Sequence, residues 1–181
     1  MNFKLHILRS KIHLFSRTGK IGKLASRMKI AQEGNTVKNI LLCFPVDEPS
    51  FRVAAYSFRK FGDTILNDIQ IVLLIPNQYR KLLHFRFGQV ITYDYNSEKN
   101  VIITLNEIRK TVNEIDFDMI IDLNPSFNLT ISQFISNISA KYKVGFRSEF
   151  SDWFYNIQFH LSKTGFLEQG YHKINTLLTT T

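Results

Sequence analysis

The sequence predicts an α/β fold, a single Rossmann-like three-layer domain built on a mostly parallel, five-stranded sheet. The first observation is a repeated unit, in which an apolar run is followed by a polar loop and an amphipathic helical stretch. The runs at 38–44, 68–75 and 117–123 each begin such a unit. The second observation is that these runs are almost continuously apolar, as strands covered by helices on both faces require. This alternation indicates right-handed βαβ crossovers.

The remaining elements follow from the same two patterns. Strands at 89–93 and 142–146 bring the number to five, and crossovers on both faces give the strand order 3-2-1-4-5. The stretch 147–165 is less regular, and its rings Trp153, Phe154 and Tyr155 form either part of the core or a stacking platform. Helical spacing predicts helices over these ranges: 50–61, 77–85, 98–114, 127–139 and 168–178.

Charge divides the chain into two parts. The whole chain of 181 residues has a net charge of +8, yet residues 1–37 alone hold eight Lys or Arg and one acidic residue. The sequence therefore predicts a basic helical N-terminal extension over 1–36, followed by a nearly neutral Rossmann-like domain over 37–181.

The basic extension has helical spacing that Gly19 and Gly22 interrupt, which predicts two helices rather than one. One interpretation is that its apolar stripe packs on the domain while the basic side chains face water. Another is that residues 1–33 lie on an anionic membrane surface. Nucleic acid is not an expected partner, because neither a recognition motif nor interleaved basic and aromatic residues are present.

Several site classes are not expected. Cys43, the single cysteine, lies in a predicted strand as a small buried hydrophobe, and the five histidines lack metal-ligand spacing. The loop after the first strand contains no glycine, so neither a dinucleotide nor another phosphate-bound cofactor is expected. No stretch has the length of a membrane span or the form of a secretory signal. We expect a cytoplasmic protein, with the inner face of the membrane as its second possible location.

Candidate chemistry begins in the loop after the first strand. Asp47 and Glu48 lie there, and a carboxylate at this position can act as a general base on an acceptor hydroxyl. The alternative is a structural role at a helix start, with Ser50 as the N-cap. Arg52 follows in the first helical turn, either to hold a phosphate or carboxylate or as a surface residue.

The fourth and fifth strands end in a second group of polar residues. Asp122 can accept hydrogen bonds from sugar hydroxyls, or it can cap the next helix together with Asn124 or Ser126. Arg147, after the fifth strand, is a candidate anion contact with Glu149 as its expected ion-pair partner.

Two segments carry a resemblance to a known family. The segment at 116–129 contains a strand of the form D-x-x-I-D-L, and 138–147 contains an Ala-Lys turn followed by a strand ending in Gly-Phe. The helix at 171–178 has the form H-x-I-x-x-L-L. Over about 38–178 the chain resembles the N-terminal domain of the family 9 glycosyltransferases, the lipopolysaccharide heptosyltransferase group.

The resemblance implies one half of a two-domain enzyme. Members of the family bind the acceptor with their first Rossmann domain and the nucleotide-sugar with the second, and the resemblance covers only the first. They also carry a Ser-x-Gly-Asp loop with a proposed general base, whereas in this chain Ser50 falls at the aspartate position. The implied function is therefore acceptor or partner binding in cell-envelope glycan assembly, without transferase activity by the isolated chain.

The resemblance also implies partners and an alternative. A saccharide or lipid-linked acceptor is expected, together with a partner chain that supplies the second Rossmann domain. The alternative is a non-catalytic module on the same scaffold, which docks to a membrane surface or to another protein.

Overall fold

The computed structural model describes residues 3–22, 24, 37–59, 69–84, 87–161 and 166–180. Its main sheet has six parallel strands in the spatial order β3-β2-β1-β6-β7-β8, and a separate two-stranded hairpin pairs β4 with β5. The strands are β1 Asn39–Cys43, β2 Gln70–Pro76, β3 Gln89–Tyr93, β4 Tyr95–Asn96, β5 Val101–Ile102, β6 Phe117–Asp122, β7 Ala140–Phe146 and β8 Ile157–Phe159.

Five α-helices cover this sheet in the part of the chain that the structure describes. Short 3₁₀ helices, Asn77–Leu82 and Ser151–Trp153, follow β2 and β7. The α-helices are α1 Phe3–Arg17, α2 Glu48–Phe58, α3 Leu105–Asn113, α4 Leu129–Ser136 and α5 Leu167–Thr180. None of the helices in these described ranges has the length and apolar character needed to cross a bilayer.

The predicted fold class and the order of the five predicted strands are confirmed. The difference is a sixth strand, β8, which lies in the stretch expected to be irregular and pairs with β7 at the edge of the sheet. Three residues give too short an apolar alternation to predict a strand from sequence.

The predicted helix at 98–114 is wrong in its first turns. Val101 and Ile102 form β5 and pair with β4, so α3 begins only at Leu105. Asn100 adopts a positive φ of 51° in the turn between the two strands, a conformation that asparagine tolerates better than most residues. The apolar spacing through Val101 therefore reflects a hairpin that precedes the helix.

The sheet divides the interior into two apolar layers. Alternate residues of each central strand face opposite sides. Ile40 and Leu42 of β1 face α2 and α5, whereas Leu41 and Cys43 face the layer that contains side chains of α1, α3 and α4. All four of these side chains are buried.

The N-terminal segment packs on the second of these layers. Ile12 and Ile21 are buried in it, and the amides of Gln133 and Asn137 donate hydrogen bonds to the carbonyl oxygen of Lys20. Arg9 forms an ion pair with Glu149, which follows β7. The packing interpretation therefore applies to the inner face of α1, and the second predicted helix of the extension lies outside the described residues.

Close backbone approach fixes the position of Gly22. A Cβ atom there would lie 2.0 Å from the carbonyl oxygen of Ser136, at the C-terminal end of α4. Gly19, by contrast, has a positive φ of 69° and open space around its Cα atom.

Replacing Gly22 is expected to displace the N-terminal segment. Gly22→Ala forces the backbone away from Ser136 and should lower the free energy of unfolding by about 1–3 kcal/mol. Hydrogen exchange of the α1 amides should speed up in parallel. Gly19→Ala is the matched control, because it introduces only local φ strain of about 1–2 kcal/mol. Unchanged α1 exchange in Gly22→Ala would contradict this packing.

A buried lysine connects α4 to β7. Lys143 of β7 donates a hydrogen bond from Nζ to the carbonyl oxygen of Ser136 at 2.7 Å, at the helix end where unpaired carbonyls favour a cation. Burial lowers the pKa of Lys143 to about 8. The lysine is therefore held in its site against the cost of desolvating its charge.

Lys143 gives the stability of the protein a specific pH dependence. Between pH 8 and 10.5 the unfolded chain binds this proton more tightly than the folded chain, so stability should rise with pH across that window. The free energy of unfolding, measured by denaturant titration at a series of pH values, should therefore rise more steeply with pH for wild type than for Lys143→Met. The variant lacks the titrating group. Parallel pH profiles of the two proteins would contradict the assignment.

Candidate functional site

The candidate site lies where the central strands end. All strands of the main sheet are parallel, so the loops after β1, β6 and β7 lie at its carboxyl edge, where ligands bind in open α/β sheets. Every candidate residue of the sequence analysis lies in one of these loops, in the first five residues of the helix that follows β1, or at the last residue of β6.

The loop after β1 is ordered by its own acidic residues. Asp47 is the N-cap of α2, and its side chain accepts a hydrogen bond from the backbone N–H of Ser50 at 2.9 Å. Glu48 forms an ion pair with Arg52 one turn later, on the exposed surface. The expected helix-start role of the acids is therefore present, but Ser50 as the N-cap is wrong, because Asp47 occupies that position three residues earlier.

A buried aspartate is the centre of the loop after β6. Asp122 is 2% exposed, and its Oδ1 accepts hydrogen bonds from the backbone N–H and the side-chain amide of Asn124 at 3.0 and 2.6 Å. The hydroxyl of Tyr155 donates to the other carboxylate oxygen. Because that hydroxyl gives its proton to Asp122, the Ser132 hydroxyl donates to the Tyr155 oxygen, 2.8 Å away.

These bonds join four parts of the chain. The side-chain oxygen of Asn124 accepts a hydrogen bond from the backbone N–H of Val46 at 3.0 Å, which ties the loop after β6 to the loop after β1. Tyr155 and Ser132 extend the connection to the turn after β7 and to α4. Asp122 and Asn124 therefore order these loops from within. We call the exposed residues above them, Ser126 and Arg147, the rim. Contact of Asp122 or Asn124 with a ligand stays a prediction.

The predicted capping of α4 by Asp122 together with Asn124 or Ser126 is wrong. Asn128 is the N-cap, and its side-chain oxygen accepts a hydrogen bond from the backbone N–H of Ile131 at 3.1 Å. The helix begins later than expected, at Leu129, so Ser126 remains on the exposed loop.

Arg147 is exposed at the end of β7. Among the described residues its side chain forms no hydrogen bond or ion pair, and the expected pairing with Glu149 is wrong because α1 brings Arg9 to that carboxylate. The guanidinium of Arg147 is therefore available at the carboxyl edge for an anionic or hydroxyl-rich ligand.

The buried ionisable groups of the site have shifted pKa values. Burial raises the pKa of Asp122, and the hydrogen bonds from Tyr155 and Asn124 oppose part of that rise. Burial, with the nearby Asp122 carboxylate, also raises the pKa of the Cys43 thiol, which confirms Cys43 as a buried, neutral hydrophobe. Within the described ranges no three His, Cys, Asp or Glu side chains are grouped as a metal site requires.

A polar groove that the sequence analysis missed lies at the other end of the carboxyl edge. It has a volume of about 250 Å³ and lies between the ends of β2 and β3 and helix α3. The side-chain amide of Asn77 donates to Asp94 at 3.1 Å, and the hydroxyl of Thr104 accepts from the Asp94 backbone N–H at 3.2 Å. Asp94 directly follows the third predicted strand. The rule that ligands bind at the carboxyl ends of parallel strands could therefore have identified it from the sequence.

The remaining rings after β7 divide between core and surface. Phe154 and Tyr155 are buried, in agreement with the core interpretation, whereas Trp153 is 37% exposed beside His13 of α1. Tyr155 also packs against the backbone of Gly145, where a Cβ atom would lie 2.7 Å from its ring.

Solved structures of other proteins have a similar fold. The chain matches E. coli heptosyltransferase WaaC with ADP at 10% identity and a TM-score of 0.60, covering 77% of this chain and 46% of that one. It matches a family 9 glycosyl transferase from Veillonella parvula at 18% identity and a TM-score of 0.63, covering 80% and 42%. A second WaaC structure, with ADP-2-deoxy-2-fluoro heptose, gives 11% identity, a TM-score of 0.56, and coverage of 77% and 47%.

The chain shares the fold of family 9 glycosyltransferases. The resemblance drawn from the sequence is thereby confirmed at the level of the fold. The chain spans less than half the length of each of these three solved structures. No protein-family model matches the sequence, and no curated protein matches it.

Ionisation of Asp122 should reduce the stability of the protein. Because its pKa is raised in the folded chain, the neutral form is favoured there, and stability should fall as pH rises from about 4 through the folded pKa. Asp122→Asn removes this dependence, so the variant should gain stability relative to wild type across that range in denaturant titrations. Glu114→Gln, at an exposed site, is the control. A constant difference between Asp122→Asn and wild type from pH 4 to 7 would contradict the assignment.

Proposed function

We propose that this chain is the acceptor-binding half of a family 9, heptosyltransferase-like glycosyltransferase that acts in cell-envelope glycan assembly. The observation that carries the proposal is the carboxyl edge of the sheet. There the loops after β1 and β6 are joined through Asn124 and the buried Asp122, and exposed polar side chains lie above them. A saccharide or a lipid-linked saccharide is the ligand whose hydroxyl and phosphate groups this rim fits.

The rim and the polar groove offer complementary chemistry. Arg147 supplies a cation, and Ser126 a hydroxyl, for phosphate or carboxylate groups on an acceptor. The groove at Asn77, Asp94 and Thr104 adds amide, carboxylate and hydroxyl groups that suit sugar hydroxyls. Both lie at one edge of the sheet, so an elongated saccharide can contact them together.

Catalysis by the isolated chain is not part of the proposal. Asp47 and Glu48 are the carboxylates nearest to the position of a base in the loop after β1, but one caps α2 and the other is paired with Arg52. The chain spans 46% and 42% of two of the matched structures, and the proposal assigns the nucleotide-sugar contacts to a second Rossmann domain. The two domains together would form the cleft in which transfer occurs.

Binding and turnover test this proposal separately. The full chain should bind a purified lipopolysaccharide core oligosaccharide in a calorimetric titration, and should neither bind ADP-heptose nor transfer heptose from it. Arg147→Ala should weaken oligosaccharide binding about tenfold, the effect of losing one hydrogen bond from a charged group. Lys141→Ala is the matched control, because Lys141 is an exposed cation at the opposite end of the same strand.

Three results would overturn the proposal. Turnover of ADP-heptose by the chain alone would refute the need for a partner domain. Absence of oligosaccharide binding would refute the acceptor role. Equal losses of affinity in Arg147→Ala and Lys141→Ala would refute binding at the carboxyl edge.

A further inference from the structure

Helix α1 carries apolar side chains on two opposite faces. Ile12 is buried in the core, with Leu8 and Phe15 packed beside it. Ile7 and Leu14 lie seven residues apart on the other face and are 43% and 57% exposed. Packing on the domain therefore explains only one of the two stripes.

The outward face of α1 combines these apolar side chains with basic ones. Helix α1 contains no Asp or Glu, and Lys4 and Lys11 are exposed beside the outward stripe. A shallow groove of about 420 Å³ runs along it, lined by His6, Ile7, Ser10, Lys11 and Leu14. We call the surface formed by Lys4, Ile7, Lys11 and Leu14 the outer face of α1.

The exposed lysines and the exposed apolar side chains of α1 together favour one kind of partner. A second copy of the chain would bring two acid-free helices together, and their like charges would repel. A nucleic acid would bind the lysines but leave Ile7 and Leu14 without an apolar contact. An anionic lipid surface satisfies both groups, since apolar side chains enter the boundary of the acyl region while lysines lie at the phosphates.

We propose that the outer face of α1 binds the surface of an anionic phospholipid membrane. The helix lies parallel to the surface, with Ile7 and Leu14 inserted and Lys4 and Lys11 at the headgroups. This binding does not depend on the proposed sugar chemistry, because it uses no residue of the carboxyl edge.

The contacts of α1 place the carboxyl edge beside that membrane. Arg9 is paired with Glu149, and the ring of His13 lies edge-on to Trp153 with centroids 5.2 Å apart. Glu149 and Trp153 both belong to the segment that follows β7 at this edge. A membrane bound by α1 therefore lies near the loops in which Arg147 and Ser126 are exposed, as access to a lipid-linked ligand requires.

Trp153 provides an internal probe for this binding. It is the single tryptophan of the chain and is partly exposed against α1. Its fluorescence emission should shift to shorter wavelength when the full chain is mixed with vesicles of phosphatidylcholine and phosphatidylglycerol. Pure phosphatidylcholine vesicles should give no shift, because the lysines then lack anionic headgroups.

Co-sedimentation of the full chain with the same vesicles tests the two components of the outer face. Ile7→Ser with Leu14→Ser should weaken binding at least tenfold. Lys4→Gln with Lys11→Gln should weaken it about 25-fold, since each basic residue near an anionic surface strengthens partitioning about fivefold. Val101→Ser with Ile103→Ser is the matched control, which removes two exposed apolar side chains elsewhere and should leave binding unchanged.

The inference fails on any of the following results. Failure of the anionic vesicles to retain the full chain would overturn it, as would binding of the Ile7 and Leu14 double variant with the affinity of wild type. Equal binding to neutral vesicles would remove the role of the lysines. A concentration-dependent dimer that the Ile7 and Leu14 double variant abolishes, without vesicle binding by wild type, would assign the face to a second copy instead. Circular dichroism of each variant establishes that it is folded, so a loss of binding reports on the surface.

Discussion

The fold depends on the need to cover a parallel sheet on both faces. The side chains of β1 are buried on each side, with Ile40 and Leu42 towards one layer of helices and Leu41 and Cys43 towards the other. Each buried aliphatic side chain contributes about 1.5–3 kcal/mol, so leaving one face open would forfeit most of the stabilisation of the domain. Helix α1 forms part of that cover through Ile12, which makes the basic segment a structural component as well as a charged one.

This constraint also determines where a ligand can bind. Because helices cover both faces of the sheet, its strands reach solvent only at their ends. Ligands in such folds bind at the polar loops of the carboxyl edge. The loops there are not independent of one another. Hydrogen bonds of the buried Asp122, Asn124 and Tyr155 connect these loops, so the exposed residues of the same loops are held by an ordered backbone. A buried carboxylate is costly to desolvate, and the three hydrogen bonds that Asp122 accepts offset part of that cost.

The sequence was sufficient to predict five strands of the main sheet, because a continuous apolar run indicates a strand that is buried on both faces. The five strands and their order follow from those runs and from the handedness of crossovers, whereas β8 is too short to leave a periodic signal. Helix starts were less predictable. Ser50 and Asp47 are both good N-caps, and only the backbone geometry decides between them.

Partnerships between distant residues could not be read from the sequence. Arg147 and Glu149 are adjacent enough to suggest an ion pair, yet Arg9 takes the carboxylate from 140 residues away because α1 packs on that side. Tyr155 reaches Asp122 across 33 residues in the same way. The position of the candidate residues at one edge was predictable, but which of them are buried and which are exposed depended on these tertiary contacts.

Backbone amide shifts of the isotope-labelled full chain, titrated with a lipopolysaccharide core oligosaccharide, test the central claim most directly. The account predicts shift changes confined to the carboxyl edge, in the loops after β1, β6 and β7. Changes concentrated at the amino edge, around Lys38, Asp116 and Lys141, would contradict it, as would a spectrum that the oligosaccharide leaves unchanged.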